Sequence, residues 1–160
     1  MVKAIVYTTN TGHTLEYAKI LSKRLNVPYY SVNEAKTKLN EDDEIIYLGW
    51  VCASRISGLS NVRGKYNINC VGVVGLYPYD ENNIDMMKKA NGLNEPLFYL
   101  RGGLDYTKLK GIKRLVLQMV GKVMRKGDKQ ENKEMTEIFK NGANFISEKN
   151  LDPIIKHINN

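Results

Sequence analysis

At 160 residues, 42% apolar and 26% charged, the chain has the size and balance of one globular domain with a full hydrophobic core. No apolar run approaches the roughly 20 residues of a membrane span, and Met1 leads straight into a strand pattern with no signal peptide, so a cytoplasmic protein, peripheral at most to a membrane, is expected. The formal net charge of +7 is localised: Arg101 to Glu134 carries ten Lys or Arg against four Asp or Glu, and the remainder is nearly neutral.

A basic excess can serve nucleic acid, an anionic membrane or an acidic partner protein; confined to one segment, it reads as an interaction device added to a neutral domain. Two cysteines, Cys52 and Cys70, suit a reducing compartment better than a disulfide scaffold. Together with two distant histidines they lack the spacing of zinc ligands, and no metal site is expected.

In chain order, Ala4-Ile5-Val6-Tyr7 reads as a short buried strand, and Leu15, Ala18, Ile20, Leu21 and Leu25 recur at helical spacing. Between them lies the hydroxyl-rich turn Thr8-Thr9-Asn10-Thr11-Gly12-His13-Thr14. A strand, such a turn and a helix start together bind phosphate: backbone N–H groups and the positive helix end converge on one point, and threonine hydroxyls add donors. With no Lys or Arg between Lys3 and Lys19, the loop's donors are neutral, which excludes the GxxxxGK[ST] nucleotide loop.

Val27 to Val32 is a second strand, and polar Asn33 to Asp43 a loop or short helix. Glu44 to Gly49 is a third, buried strand, after which Trp50 to Gly58 is too small and irregular to continue it. A weakly helical or turn segment reaches Tyr66. Cys70 to Gly75 is a fourth strand, followed by the aromatic loop Leu76-Tyr77-Pro78-Tyr79-Asp80 and a helix capped by Asn83. Pro96 to Leu100 is a fifth strand; a long excursion from Arg101 to Lys133 precedes a last helix at about Glu134 to Glu148, and Pro153 starts a short tail. Strands alternating with helical patterns predict an α/β, doubly wound parallel sheet over residues 1–160 as one domain. Its ligands lie beyond the carboxyl ends of the strands, where Thr8–Thr14, Trp50–Gly58 and Gly75–Asp80 would converge.

On these residues the chain resembles the flavodoxin family. That family's phosphate loop has the form [ST]-x-T-G-x-T after the first strand, and Thr9-Asn10-Thr11-Gly12-His13-Thr14 matches every fixed position. The resemblance implies strand order 2-1-3-4-5, FMN as cofactor, and a 5′-phosphate cradled by Thr9, Asn10, Thr11, Gly12, His13 and Thr14. It further implies an isoalloxazine flanked by Trp50, Val51, Cys52, Ala53 and Ser54 on one side and by Gly75, Leu76, Tyr77, Pro78 and Tyr79 on the other. The carboxyl-terminal part is similar to menaquinone-dependent protoporphyrinogen oxidases, which carry an insertion between the fifth strand and last helix. Here Gly102-Gly103-Leu104-Asp105-Tyr106 and a basic helix from Leu109 to Met124 take that place.

Two departures qualify the resemblance. Val51-Cys52-Ala53 stands where simple flavodoxins often carry an aromatic that stacks on the flavin, leaving Trp50, Tyr77 or Tyr79 for that role. Electron-carrier flavodoxins are also strongly acidic, and this chain is not.

Trp50 either stacks on a flavin or fills the core under a strand end, and His13 reads as a solvent-facing helix-start residue rather than a catalytic one. Cys52, lacking a resolving cysteine, reads as a plain loop residue. The insert's apolar stripe either packs on the domain or a dimer partner, the default for an amphipathic helix, or rests with its lysines on an anionic bilayer over 108–126.

The function expected is electron transfer between redox partners by an FMN-binding protein, with no catalytic acid or base. Alternatives are a membrane-surface flavin dehydrogenase using quinone and a flavin-free binding or signalling module. Expected partners are a redox protein or a quinone and, at most, a second copy of the chain; no nucleic acid is expected.

Overall fold

A computed structural model describes residues 1–109, 117 and 130–160. Five parallel strands form the sheet: β1 (Ala4–Tyr7), β2 (Tyr29–Ser31), β3 (Glu44–Cys52), β5 (Asn67–Gly75) and β6 (Leu97–Arg101), in spatial order β2-β1-β3-β5-β6. Counting only these strands, that is the expected order 2-1-3-4-5. The two-residue β4 (Arg55–Ile56) pairs antiparallel with the end of β3 and lies outside that path.

Alternation along the strands divides the core into two faces. Ile45 and Tyr47 of β3 join Val71 and Val73 of β5 on one side, beneath α2 (Val32–Lys38) and α3 (Glu81–Asn91). Ile46 and Leu48 join Ile5, Val74 and Leu100 on the other, beneath α1 (His13–Leu25). Both faces are covered, as a parallel sheet requires.

Local chemistry moves several boundaries. Trp50, Val51 and Cys52 continue β3 where an irregular loop was expected, because the chain doubles back directly: Ala53 and Ser54 take left-handed conformations (φ 47° and 62°) and form a two-residue hairpin into β4. Both central residues at positive φ match the twist of the flanking strands. The Asn33–Asp43 stretch begins as α2, fixed by a capping box in which Ser31 accepts from the Glu34 N–H and the Glu34 carboxylate accepts from the Ser31 N–H. The cap of α3 is Asp80, whose carboxylate accepts from the Asn82 N–H, rather than Asn83.

The carboxyl-terminal reading needs the largest correction. The helix expected at Glu134–Glu148 is α4 (Gln130–Asn141), ended by Gly142 at φ 77°. It leads into β8 (Ala143–Asn144), which pairs antiparallel with β7 (Gly103–Leu104). The expected tail is the last helix, α5 (Asp152–Asn159), with Pro153 tolerated in its first turn. Leu151 and Ile154 are fully buried among Leu21, Leu48 and Leu100. The insertion thus closes on itself through β7–β8 and its own apolar cluster of Leu104, Leu109, Met135, Ile138 and Phe139. The basic helix expected from Leu109 to Met124 lies, beyond Leu109 and Leu117, outside the described residues.

Ile154 gives a direct check. Ile154→Ala removes a fully buried side chain and is expected to cost about 2–5 kcal/mol in urea unfolding, where a solvated tail would lose almost nothing.

Candidate functional site

Parallel pairing sends the chain out of β1, β3 and β5 at the same edge of the sheet. At the end of β1, Gly12 takes φ 96° at the start of α1, and its N–H donates to Thr9 Oγ1 (3.1 Å). No side chain caps α1, whose first N–H groups have no partner within the helix. Thr14 is buried.

His13 is also buried, at 9% exposure, and so is not the solvent-facing residue expected. Gly103 of the insertion lies against it: a Cβ there would come within 2.7 Å of His13 Nε2 and closer still to the Ala143 carbonyl. His13 Nδ1 and Thr11 Oγ1 share a 2.9 Å hydrogen bond. Burial, and then the charge of Lys108, hold the imidazole below its ordinary pKa.

The second loop is tied to the first. The buried Tyr47 hydroxyl donates to the Ser57 carbonyl and lies 3.0 Å from Thr8 Oγ1; burial pushes its pKa up to about 12. Gly58 closes over this pair at φ 78°, and any Cβ there would collide with Thr8 Oγ1 and the Tyr47 hydroxyl. Asn91 at the end of α3 holds the hairpin from behind: its amide donates to the Ser54 carbonyl (2.7 Å) and its oxygen accepts from the Ile56 N–H (3.0 Å).

The third loop rests on Tyr99, whose hydroxyl donates to the Tyr77 carbonyl (2.7 Å) and whose pKa burial raises to about 12. Tyr79 packs edge-on against Tyr99 with 66% of its surface exposed.

Two adjoining cavities occupy the space between the loops. The smaller, about 170 Å³, is lined by Thr9, Asn10, Thr11, His13 and Thr14, with Trp50 and Gly75 on its far wall. The larger, about 500 Å³, lies among Ala53, Ser54, Tyr77, Pro78 and Tyr99. Val51, Leu76 and Leu117 line both, so the two are parts of one trough.

The structure therefore brings together nearly every residue singled out from the sequence. Gly12, Cys52, which is exposed, and Tyr79 line neither cavity. Trp50 faces the threonine end and Tyr77 the larger end. Sequence reasoning missed Asn83, Met87, Tyr99, Gly103 and Phe139, which arrive from later elements and from the insertion. Only Gly102-Gly103-Leu104 carried a signal, as a resemblance and not as part of the site.

The trough lies at the carboxyl edge of a doubly wound sheet, beside the uncapped start of α1, which is where such sheets take their ligands. A family model described as the flavodoxin domain matches residues 4–132, and the chain belongs to that family. No curated protein matches it. A flavin phosphate fits the residues present: threonine hydroxyls beside an uncapped helix start at the smaller end, and an aromatic and apolar wall at the larger end. Among the described residues no three His, Cys, Asp or Glu side chains cluster as metal ligands, and no helix is long and apolar enough to cross a membrane.

The His13 environment sets a pH dependence. Its pKa in the folded chain lies below the unfolded value of about 6.5, so the unfolded chain takes up the proton first. The contribution of neutral His13 to stability is whole above about pH 6.5 and declines as pH falls from there towards the folded pKa. Proton NMR of the folded protein is expected to show His13 titrating below 6.5; an unshifted or raised value contradicts its burial beside Lys108.

Proposed function

We propose that this flavodoxin-family chain binds FMN and transfers electrons between redox partners. The observation that carries the reading is the continuity of the trough, with phosphate donors at one end and room for a flat aromatic ring at the other. Thr9, Thr11 and Thr14 would hold the phosphate, with the α1 N–H groups behind them; Val51, Ala53 and Ser54 would face Leu76, Tyr77 and Pro78 across the ring. Of Trp50, Tyr77 and Tyr79, Tyr77 is the one that lines the wider end, and it is the preferred stacking partner. FMN supplies the one- and two-electron chemistry when bound; the chain binds it, orients it and excludes water. No side chain is assigned as catalytic acid or base.

Purified protein is expected to show the absorbance bands of an oxidised flavin, either as isolated or after incubation with FMN, and mass analysis of the released cofactor should give FMN. A colourless protein that takes up no FMN supports the flavin-free binding module instead.

A second reading is a flavin dehydrogenase that passes electrons to a quinone. It is favoured by Leu117 and Phe139, which the insertion adds to the wall of the larger cavity, giving an apolar surface suited to a hydrophobic substrate. Quinone reduction together with sedimentation on anionic liposomes would support it; absence of both leaves the basic segment as a packing or protein-partner surface.

A further inference from the structure

The threonine loop contains no cation of its own, yet the fold brings one to it. After β7, the Asp105 carboxylate accepts from the Thr107 N–H (2.9 Å) and hydroxyl (2.6 Å), and the Lys108 N–H donates to the Asp105 carbonyl (3.2 Å). This tight turn aims the Lys108 side chain back across the start of α1. Its Nζ lies 3.4 Å from where a Cβ of Gly12 would stand. The base of the turn is fixed on both sides. The Gly102 N–H donates to the Gly75 carbonyl (2.8 Å), the Phe145 N–H donates to the Gly102 carbonyl (2.8 Å), and Gly103 packs against His13.

An anion would improve the electrostatics of this arrangement. An ammonium at the amino end of a helix lies in the wrong field, since that end is itself positive. It also stands beside a buried imidazole that it disfavours as a cation. The compensation in place is Asp105, at 3.5 Å from Nζ, a carboxylate already engaged by Thr107. A phosphate dianion held by the threonine hydroxyls would lie where the helix end and the ammonium both favour it.

We propose that Lys108 is a phosphate-binding residue supplied by the insertion. Its ammonium shifts from Asp105 towards the phosphate of the bound mononucleotide and makes the site selective for the phosphorylated flavin. The inference rests on the flavin reading above and adds to it a cation absent from the loop motif. Affinity for FMN should then carry a salt-dependent component that riboflavin lacks.

The test is the affinity of the full chain for FMN and for riboflavin, by fluorescence titration at low and high salt, in wild type, Lys108→Gln, Lys108→Arg and Asp105→Asn. Lys108→Gln should weaken FMN at low salt by about tenfold or more, the loss of one charge-assisted contact, and flatten its salt dependence. Riboflavin binding should be unchanged, which also verifies the fold. Lys108→Arg should retain most of the FMN affinity, and Asp105→Asn, freeing the ammonium, should leave it equal or tighter. Unchanged FMN affinity in Lys108→Gln, or parallel losses for FMN and riboflavin, overturns the proposal while leaving the flavin reading standing. Wild-type protein that binds neither flavin overturns both.

Discussion

Parallel pairing in the middle of the sheet is the constraint on which the site depends. Tyr7 is in register with Leu48, and Trp50 with Val74, so β1, β3 and β5 all point one way and their following loops leave at one edge. Parallel strands need helical crossovers that cover both faces, and the two core clusters beneath α1 and beneath α2 and α3 are the consequence. With both faces closed by helices, the edge where the loops meet is left for a ligand.

Holding the loops to each other is a second matter, handled by a few polar side chains. Tyr47 reaches from the core to Thr8 and Ser57, joining the threonine loop to the hairpin after β3. Asn91 braces that hairpin, and Tyr99 braces the Tyr77 loop. Apart from the contact of Tyr47 with the Thr8 hydroxyl, each acts through the backbone of a loop, so the side chains facing the trough remain available. The left-handed Ala53 and Ser54 fit this pattern: strained positions persist where surrounding contacts over-determine them, and ligand sites are where they collect. The insertion is joined on through similar means. Tyr17 donates to the Arg101 carbonyl (2.6 Å), and the Arg101 guanidinium bonds Glu134 of α4 and lies 3.7 Å above the Phe145 ring.

Much of this was legible in the sequence because it depends on local pattern. Apolar runs mark the five parallel strands, and the threonines around Gly12 mark the loop proposed to hold the phosphate in its strand–turn–helix setting. What the sequence concealed depends on pairing at a distance. Trp50 to Cys52 look irregular alone, yet they are held as strand by β5 and β4. His13 looks solvent-facing until Gly103 from the insertion covers it. The α5 helix is short and begins with an Asp-Pro pair, so only its burial against Leu21 and Leu48 identifies it as core. Lys108 was counted as part of a basic segment, and nothing in its spacing from Gly12 indicates that the two meet.

The threonine loop, the β3–β4 hairpin and the Tyr77 loop are proposed to form one binding site. Amide NMR of isotope-labelled protein titrated with FMN tests it most directly. Thr11, Ser54 and Tyr77 are expected to shift together and saturate with one dissociation constant. Shifts confined to a single loop, or three loops saturating at unrelated concentrations, would contradict it.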